Sequence, residues 1–363
     1  MTFDGKAMKF YADGEEIGST TKASGAIDIG GEAPAYIGSY KGTGEFFKGG
    51  IDDVRLYNRA LSAGEIKTMA VAHLAQTAKP FTLAVLPDTQ FYCDTRLKLS
   101  KKWGNGDLRR YFFAQTRWVR DNQKRLNIAF LVHEGDIVQA DYPEEWAIAK
   151  EAMSVLDGKV PYCMCLGNHD MGFKKSDNKY GGDIAVNRTT LFNKYFPREK
   201  FAKRKEFGGT FDPDRHDNSW YHFEAAGMKF LIVSLECKPR DEVLTWANKV
   251  VAKHRDHRVI VLTHAYMRAN GHRIDKLGYK IKGNAGEEMW QKLVSKHKNI
   301  FMVLCGHSAG EAVLTSKGDH GNQVHQVLSD YQHLNNGGES WLRYMVFEPV
   351  SYTHLTLPTI LLV

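Results

Sequence analysis

The sequence has no apolar stretch near the roughly 18 residues that a membrane-spanning helix needs. No basic segment followed by an apolar run opens the chain, so no secretory leader is legible at its start. The 5 cysteines (Cys93, Cys163, Cys165, Cys237 and Cys305) give no disulfide framework. Cys163 and Cys165 form C-x-C, not the C-x-x-C of a redox or zinc site. With Cys305 they lie in apolar, strand-like runs, where cysteine behaves as a small core residue. Basic residues are scattered, with only short clusters such as Lys174-Lys175 and Lys203-Arg204-Lys205, and no aromatic-basic pattern of a nucleic-acid module accompanies them. A nucleic-acid partner is therefore not indicated.

What is present fits an ordinary globular protein, with 43% hydrophobic and 25% charged residues. A length of 363 residues points to two domains. The formal charge of +7 favours an anionic substrate. It is also what a mildly basic surface without a particular partner would show.

Four segments separate along the chain. Residues 1–70 are Gly-rich with alternating apolar positions. Met8, Phe10 and Ala12 alternate with polar neighbours, Asp13-Gly14 is a hairpin turn signal, and Ile17 starts the return strand. A second alternation runs over 51–57, and Ser62 caps a short helical turn. Residues 71–80 read as a linker. From Phe81 to 350, short apolar runs alternate with amphipathic helices, the signature of an α/β domain. The runs are 81–86, 128–132, 162–166, 230–235, 259–262 and 301–304. Helices are predicted over 109–126, over 143–156 with Asp141 as cap, and over 241–251 capped by its own Asp241. Residues 171–217 read as a long loop with one short helix near 191–196. Residues 351–363 break register with what precedes them and read as a non-native tail.

Five of the six runs end, within a few residues, in a candidate metal ligand. They lead to Asp88-Thr89-Gln90, Gly135-Asp136, Gly167-Asn168-His169-Asp170, His264 and Gly306-His307. Ligands of open α/β sheets bind beyond the carboxyl ends of the strands, so these side chains converge on one crevice. Gly135 and Gly167 let the backbone turn sharply beside an ion. Any one of these residues alone is more often a turn Asp or a satisfied His. Five in succession at the same strand end are not a coincidence of composition.

The order Asp, Gly-Asp, Gly-Asn-His-Asp, His, Gly-His resembles the motif series of calcineurin-like metallophosphoesterases, over roughly 81–349. The resemblance implies a double β-sheet sandwich flanked by helices, with divalent metal at the strand ends. By the same resemblance Asp136 is the bridging carboxylate, and Asn168, His264 and His307 complete one metal's ligands. Asp88 belongs to the other metal, and His169 is catalytic, oriented by Asp170. Two positions depart from the pattern: Gln90 and Ala309 stand where histidines of that second metal belong. The second site then keeps Asp88 and Asp136, with weak amide oxygens from Gln90 and Gln139. The first set suits Zn²⁺, Mn²⁺ or Fe²⁺, while a site of oxygens alone suits a harder ion such as Mg²⁺. Arg240, just after a strand, is a candidate phosphate-binding residue, although a solvated Arg at a helix start is the commoner case.

The implied reaction is hydrolysis of a phosphate mono- or diester by metal-activated hydroxide. The N-terminal stretches 4–14 and 47–62 resemble part of a laminin-G-like (concanavalin-like) jelly roll, with its first strands missing. That likeness implies a glycan or surface ligand, and a secreted or periplasmic location. The competing reading is a non-catalytic glycan- or protein-binding protein with a degraded metal site, favoured by Gln90 and Ala309. The intact Asp136, Asn168, His169, His264 and His307 favour the enzyme.

Overall fold

The structure is a computed structural model and describes residues 1–22, 24–26, 36–39, 43–48, 54–77, 79–95, 107–172 and 185–348. The chain divides into two compact units, Met1–Ala78 and Lys79–Pro349.

In the first unit, β1 (Thr2–Phe3), β2 (Met8–Ala12) and β3 (Glu15–Thr20) form an antiparallel sheet. The β2–β3 hairpin turns at Asp13-Gly14, both with positive φ (50° and 84°), the geometry that matches the twist of the flanking strands. A helix, Ala63–Thr77, follows. Ser62 Oγ accepts from the Glu65 N–H (3.2 Å) and Glu65 Oε2 accepts from the Ser62 N–H (2.8 Å), a reciprocal cap. The stretch expected to be a linker is thus helical through Thr77, because Ala70-Val71-Ala72 and Leu74-Ala75-Gln76 lack any helix breaker. The alternation expected over 51–57 forms no strand at 54–57, and 51–53 lie outside the described residues. So does the tail 351–363.

In the second unit the apolar runs become strands of two sheets. One has the order β14 (Arg343–Phe347), β4 (Phe81–Leu86), β5 (Ile128–His133), β6 (Tyr162–Met164). The other has the order β12 (Gly310–Lys317), β13 (Gln323–Asp330), β11 (Ile300–Cys305), β10 (Arg258–Leu262), β9 (Met228–Ser234), β8 (Ser219–Ala225), β7 (Phe207–Thr210). β4, β5 and β6 are mutually parallel, as are β9, β10, β11 and β13, so the ligand-bearing ends within each sheet point one way.

Period-two alternation assigns the faces. Phe230, Ile232, Ile260 and Leu262 join Leu83, Val85, Phe130 and Val132 in the core between the sheets. Leu231, Val233, Val259 and Val261 face the other way, onto the helices Asp241–Lys253 and Gly286–Lys292. A cluster of Phe81, Phe223, Phe230 and Phe347 stacks or meets edge-on between the layers, fixing their separation. This is the helix-flanked double sandwich that the resemblance implies.

Three local readings change. The helix Pro143–Ser154 starts after Tyr142, and Asp141 instead accepts from Trp146 Nε1 (2.6 Å) and the Leu191 N–H (2.9 Å). The helix Asp241–Lys253 starts after Arg240, and Asp241 binds Asn284 and Lys292. The supposed loop 171–217 holds a second short helix, Arg198–Ala202, and β7. Residues 173–184 of it lie outside the described residues.

Candidate metal centre

Asp136, His264 and His307 each offer one ligand atom, and these atoms lie within 4.8 Å of one another. They come from the ends of β5, β10 and β11, so both sheets contribute. Asp136 (φ 48°) and His307 (φ 75°) both adopt left-handed backbone, which costs on the order of 1–3 kcal/mol each and is kept where the surroundings demand it. Gly167 makes room for this turn: a Cβ there would lie 2.0 Å from Asp136 Oδ1. Gly135 (φ 91°) does the same against Gly167 and His264.

The donor pattern at His264 is decisive. Its Nδ1 lies 2.8 Å from the Glu134 carbonyl oxygen, which can only accept, so Nδ1 carries a proton. The opposite nitrogen, Nε2, lies 3.2 Å from Asp136 Oδ1 and 3.2 Å from Asn168 Oδ1. In the neutral ring, three lone pairs then face one another in a fully buried place. Such a site is complete only with a cation, either a proton or a metal. Burial opposes charge on His264, but Asp136 more than offsets it, so its pKa rises. Burial likewise opposes ionisation of Asp136, yet His264 and His169 hold its carboxyl below the usual range. Burial and the neighbouring His264 push His307 down to about 3. A His–His–carboxylate–amide donor set fits a borderline divalent ion.

Around this core the other expected residues distribute unevenly. Asn168 is 1% exposed and is held by the Tyr279 phenol, whose ring meets His307 edge-on at 5.9 Å. Asp88 is buried beside Asp136 and accepts from the His307 N–H. His169 is partly exposed, and its N–H donates to Asp136 Oδ1 (2.9 Å). Its Nδ1, however, bonds the Gln139 carbonyl oxygen (2.8 Å), not Asp170. Asp170 instead accepts from the N–H groups of Ile137 (2.8 Å), Val138 (2.9 Å) and Gly167 (2.7 Å). The expectation that Asp170 orients His169 is corrected accordingly: three buried amides compete for that carboxylate and win. Gln90 and Gln139 are buried, and each side-chain Oε1 lacks a hydrogen-bond partner. Arg240 is neutralised by Glu236 (2.9 Å) and Glu242 (3.2 Å) in a cleft of about 480 Å³ shared with Arg188 and Lys282.

Sequence reasoning missed Tyr279, which lies in a loop without periodicity, and left Asp330 unassigned. Asp330 carried a signal: it ends a strand-like run in the same way as the ligands do.

A helix-flanked sandwich of two sheets with nitrogen and oxygen donors gathered at the parallel strand ends defines an α/β metal-centre protein. The chain belongs to the calcineurin-like phosphoesterase family, whose model matches residues 81–311. Residues 1–67 match the model of the concanavalin A-like lectin/glucanases superfamily. The uncharacterized protein YvnB of Bacillus subtilis (strain 168) is 31% identical over 277 residues, 74% of this chain. The chain spans 19% of that relative's length. Among solved structures, a purple acid phosphatase from yellow lupin (Lupinus luteus) is 13% identical, with a TM-score of 0.43, over 77% of this chain and 53% of that one. The NAD nucleotidase of Haemophilus influenzae is 13% identical, with a TM-score of 0.38, over 78% and 51%. Among the described residues, no helix is long and apolar enough to cross a membrane.

Proposed function

We propose that this chain hydrolyses a phosphate mono- or diester with a divalent cation held by Asp136, Asn168, His264 and His307. The observation that carries the reading is the convergence of His264 Nε2, Asp136 Oδ1 and Asn168 Oδ1 as three buried acceptors. A divalent ion bound there lowers the pKa of water toward neutrality and polarises a phosphoryl oxygen.

The protein's own groups supply the rest. The Glu134 carbonyl fixes the His264 tautomer so that Nε2 faces the centre. Tyr279 holds the Asn168 amide. His169 commits its Nδ1–H to the Gln139 carbonyl, so Nε2 is the nitrogen left to face a substrate, and the ring gives a proton from it to a leaving oxygen only in the doubly protonated imidazolium form. Asp170 acts one step back, pinning the Ile137–Val138 and Gly167 backbone that carries Asp136 and Asn168. Arg240 reaches a substrate phosphate only by exchanging a carboxylate partner, which makes it a secondary contact.

We read residues 81–350 as the catalytic domain and residues 1–70 as an accessory β module for a glycan or protein surface. The superfamily match of residues 1–67 supports that part, and with it an extracellular or periplasmic setting. The second reading, a binding protein with a degraded centre, rests on Gln90 and Ala309. Metal analysis followed by assay on chromogenic mono- and diesters with Mn²⁺, Zn²⁺ or Mg²⁺ separates the two. Folded, metal-loaded protein that turns over no ester with any ion would leave the binding reading standing alone.

A further inference from the structure

Residues 275–285 form neither helix nor strand, yet they carry Tyr279 to the metal centre. The phenol holds Asn168, and the ring meets that of His307 edge-on at 5.9 Å. The His307 ring also meets His264, at 5.1 Å. Two of the four proposed ligands, Asn168 and His307, thus lean on a side chain from an irregular loop. Such a loop has no ladder of its own, so its place depends on anchors elsewhere.

Arg188 supplies the anchor. Its Nη2 donates to the carbonyl oxygens of Lys282 in the loop (2.6 Å) and of Lys238 (2.6 Å). Its Nη1 donates to the Cys237 carbonyl oxygen (3.2 Å) and pairs with Glu236 Oε1 (3.1 Å). One guanidinium therefore bolts the loop to the main chain just beyond β9. Only a rigid fork of several donors reaches three carbonyls and a carboxylate at once. Gly283 completes the close approach: a Cβ there would collide with the Lys238 carbonyl oxygen. Main-chain bonds from Ile281 to Ala185 (3.2 Å) and from Asn284 to Pro239 (2.9 Å) run along the same seam. The Arg188 side chain is 20% exposed and that of Glu236 3%, so the pair has given up most of its hydration. Truncating Arg188 deprives three carbonyl oxygens of a donor and frees the loop from β9.

We propose that Arg188 is a positioning residue of the metal centre, clamping the loop so that Tyr279 stays on Asn168 and His307. It touches neither ion nor substrate and acts through Tyr279. The proposal rests on the reading of Asn168 and His307 as ligands, but on side chains outside the ligand set.

The test is titration of the full metal-stripped chain with Zn²⁺, with bound metal counted after equilibrium dialysis. Arg188→Ala and Tyr279→Phe are each expected to weaken binding by about tenfold. The double variant should bind no more weakly than the worse single one, because both changes break one link. Guanidinium ion at millimolar concentration should restore affinity to Arg188→Ala and not to Tyr279→Phe, a gain that misfolding cannot imitate. Arg188→Lys should stay as weak as Arg188→Ala, since one ammonium cannot span the three carbonyls. Losses that add in the double variant, or an Arg188→Ala chain that guanidinium leaves unchanged, would overturn the proposal. So would an Arg188→Ala chain that melts lower but keeps the parent's affinity. These results leave the proposed function intact, whereas a parent chain that binds no ion overturns both readings together.

Discussion

Nδ1 of His169 lies 2.8 Å from the carbonyl oxygen of Gln139. A carbonyl cannot donate, so this bond sets the tautomer from the main chain, where no side-chain substitution removes it. His169→Ala deletes the imidazole but keeps the backbone N–H that binds Asp136. Metal content therefore stays at the parent level, while kcat falls by about 10²–10⁴-fold, the usual contribution of a positioned acid. Turnover within twofold of the parent would take His169 out of the mechanism.

Asp170 is expected to behave differently. Its carboxylate satisfies three buried N–H groups, and burial together with Asp136 pushes its pKa up to about 8. Asp170→Ala strands those donors at roughly 1–3 kcal/mol each, so the melting temperature and metal retention fall together. The pH–rate profile of whatever activity survives keeps its shape, because His169 keeps its partner. A displaced limb at unchanged melting temperature would restore the direct Asp170–His169 link.

The metal itself should stabilise the fold. Acceptors that face one another without a cation cost free energy, and an ion that binds only the folded chain adds about 2.7 kcal/mol at a hundredfold excess over Kd. Melting curves with and without Mn²⁺ or Zn²⁺ measure this. Asp136→Asn or His307→Ala should abolish both the shift and metal retention. A full shift in Asp136→Asn would mean that the ion binds elsewhere.

The strands that carry the ligands were legible because parallel, doubly buried strands read as continuous apolar runs: 81–86 matches β4 to the residue. Helix caps were not, since Asp141 and Asp241 had longer-range partners in Leu191 and Lys292 that no local pattern shows. The same limit applies at the centre. Sequence order named Asp136, His264 and His307, which the fold gathers, but could not show that Asp170 would be taken by backbone amides. Tyr279 reaches Asn168 from a loop with no repeat to mark it.

Glu145 offers a test of the wall behind His169. It is buried on the helix Pro143–Ser154, and its Oε2 accepts from the Ala140 N–H (2.8 Å), next to the Gln139 carbonyl. Burial pushes its pKa from 4.5 up to about 8, against the pull of that hydrogen bond. A raised folded-state pKa on an acid means that the native chain binds a proton that the unfolded chain has released. Between pH 4.5 and about 8 its contribution therefore falls as pH rises, by about 1.4 kcal/mol per unit at most. It is fully favourable below 4.5 and level above 8. Glu145→Gln keeps an acceptor for Ala140 and cannot ionise, so its stability relative to the parent should grow from pH 5 to pH 8. Other titrating groups cancel in that difference. Denaturant melts of both proteins across this range provide the measurement. A parallel pair of curves would mean that Glu145 keeps an ordinary carboxylate pKa, and that the turn carrying Gln139 is not held by a buried, protonated acid.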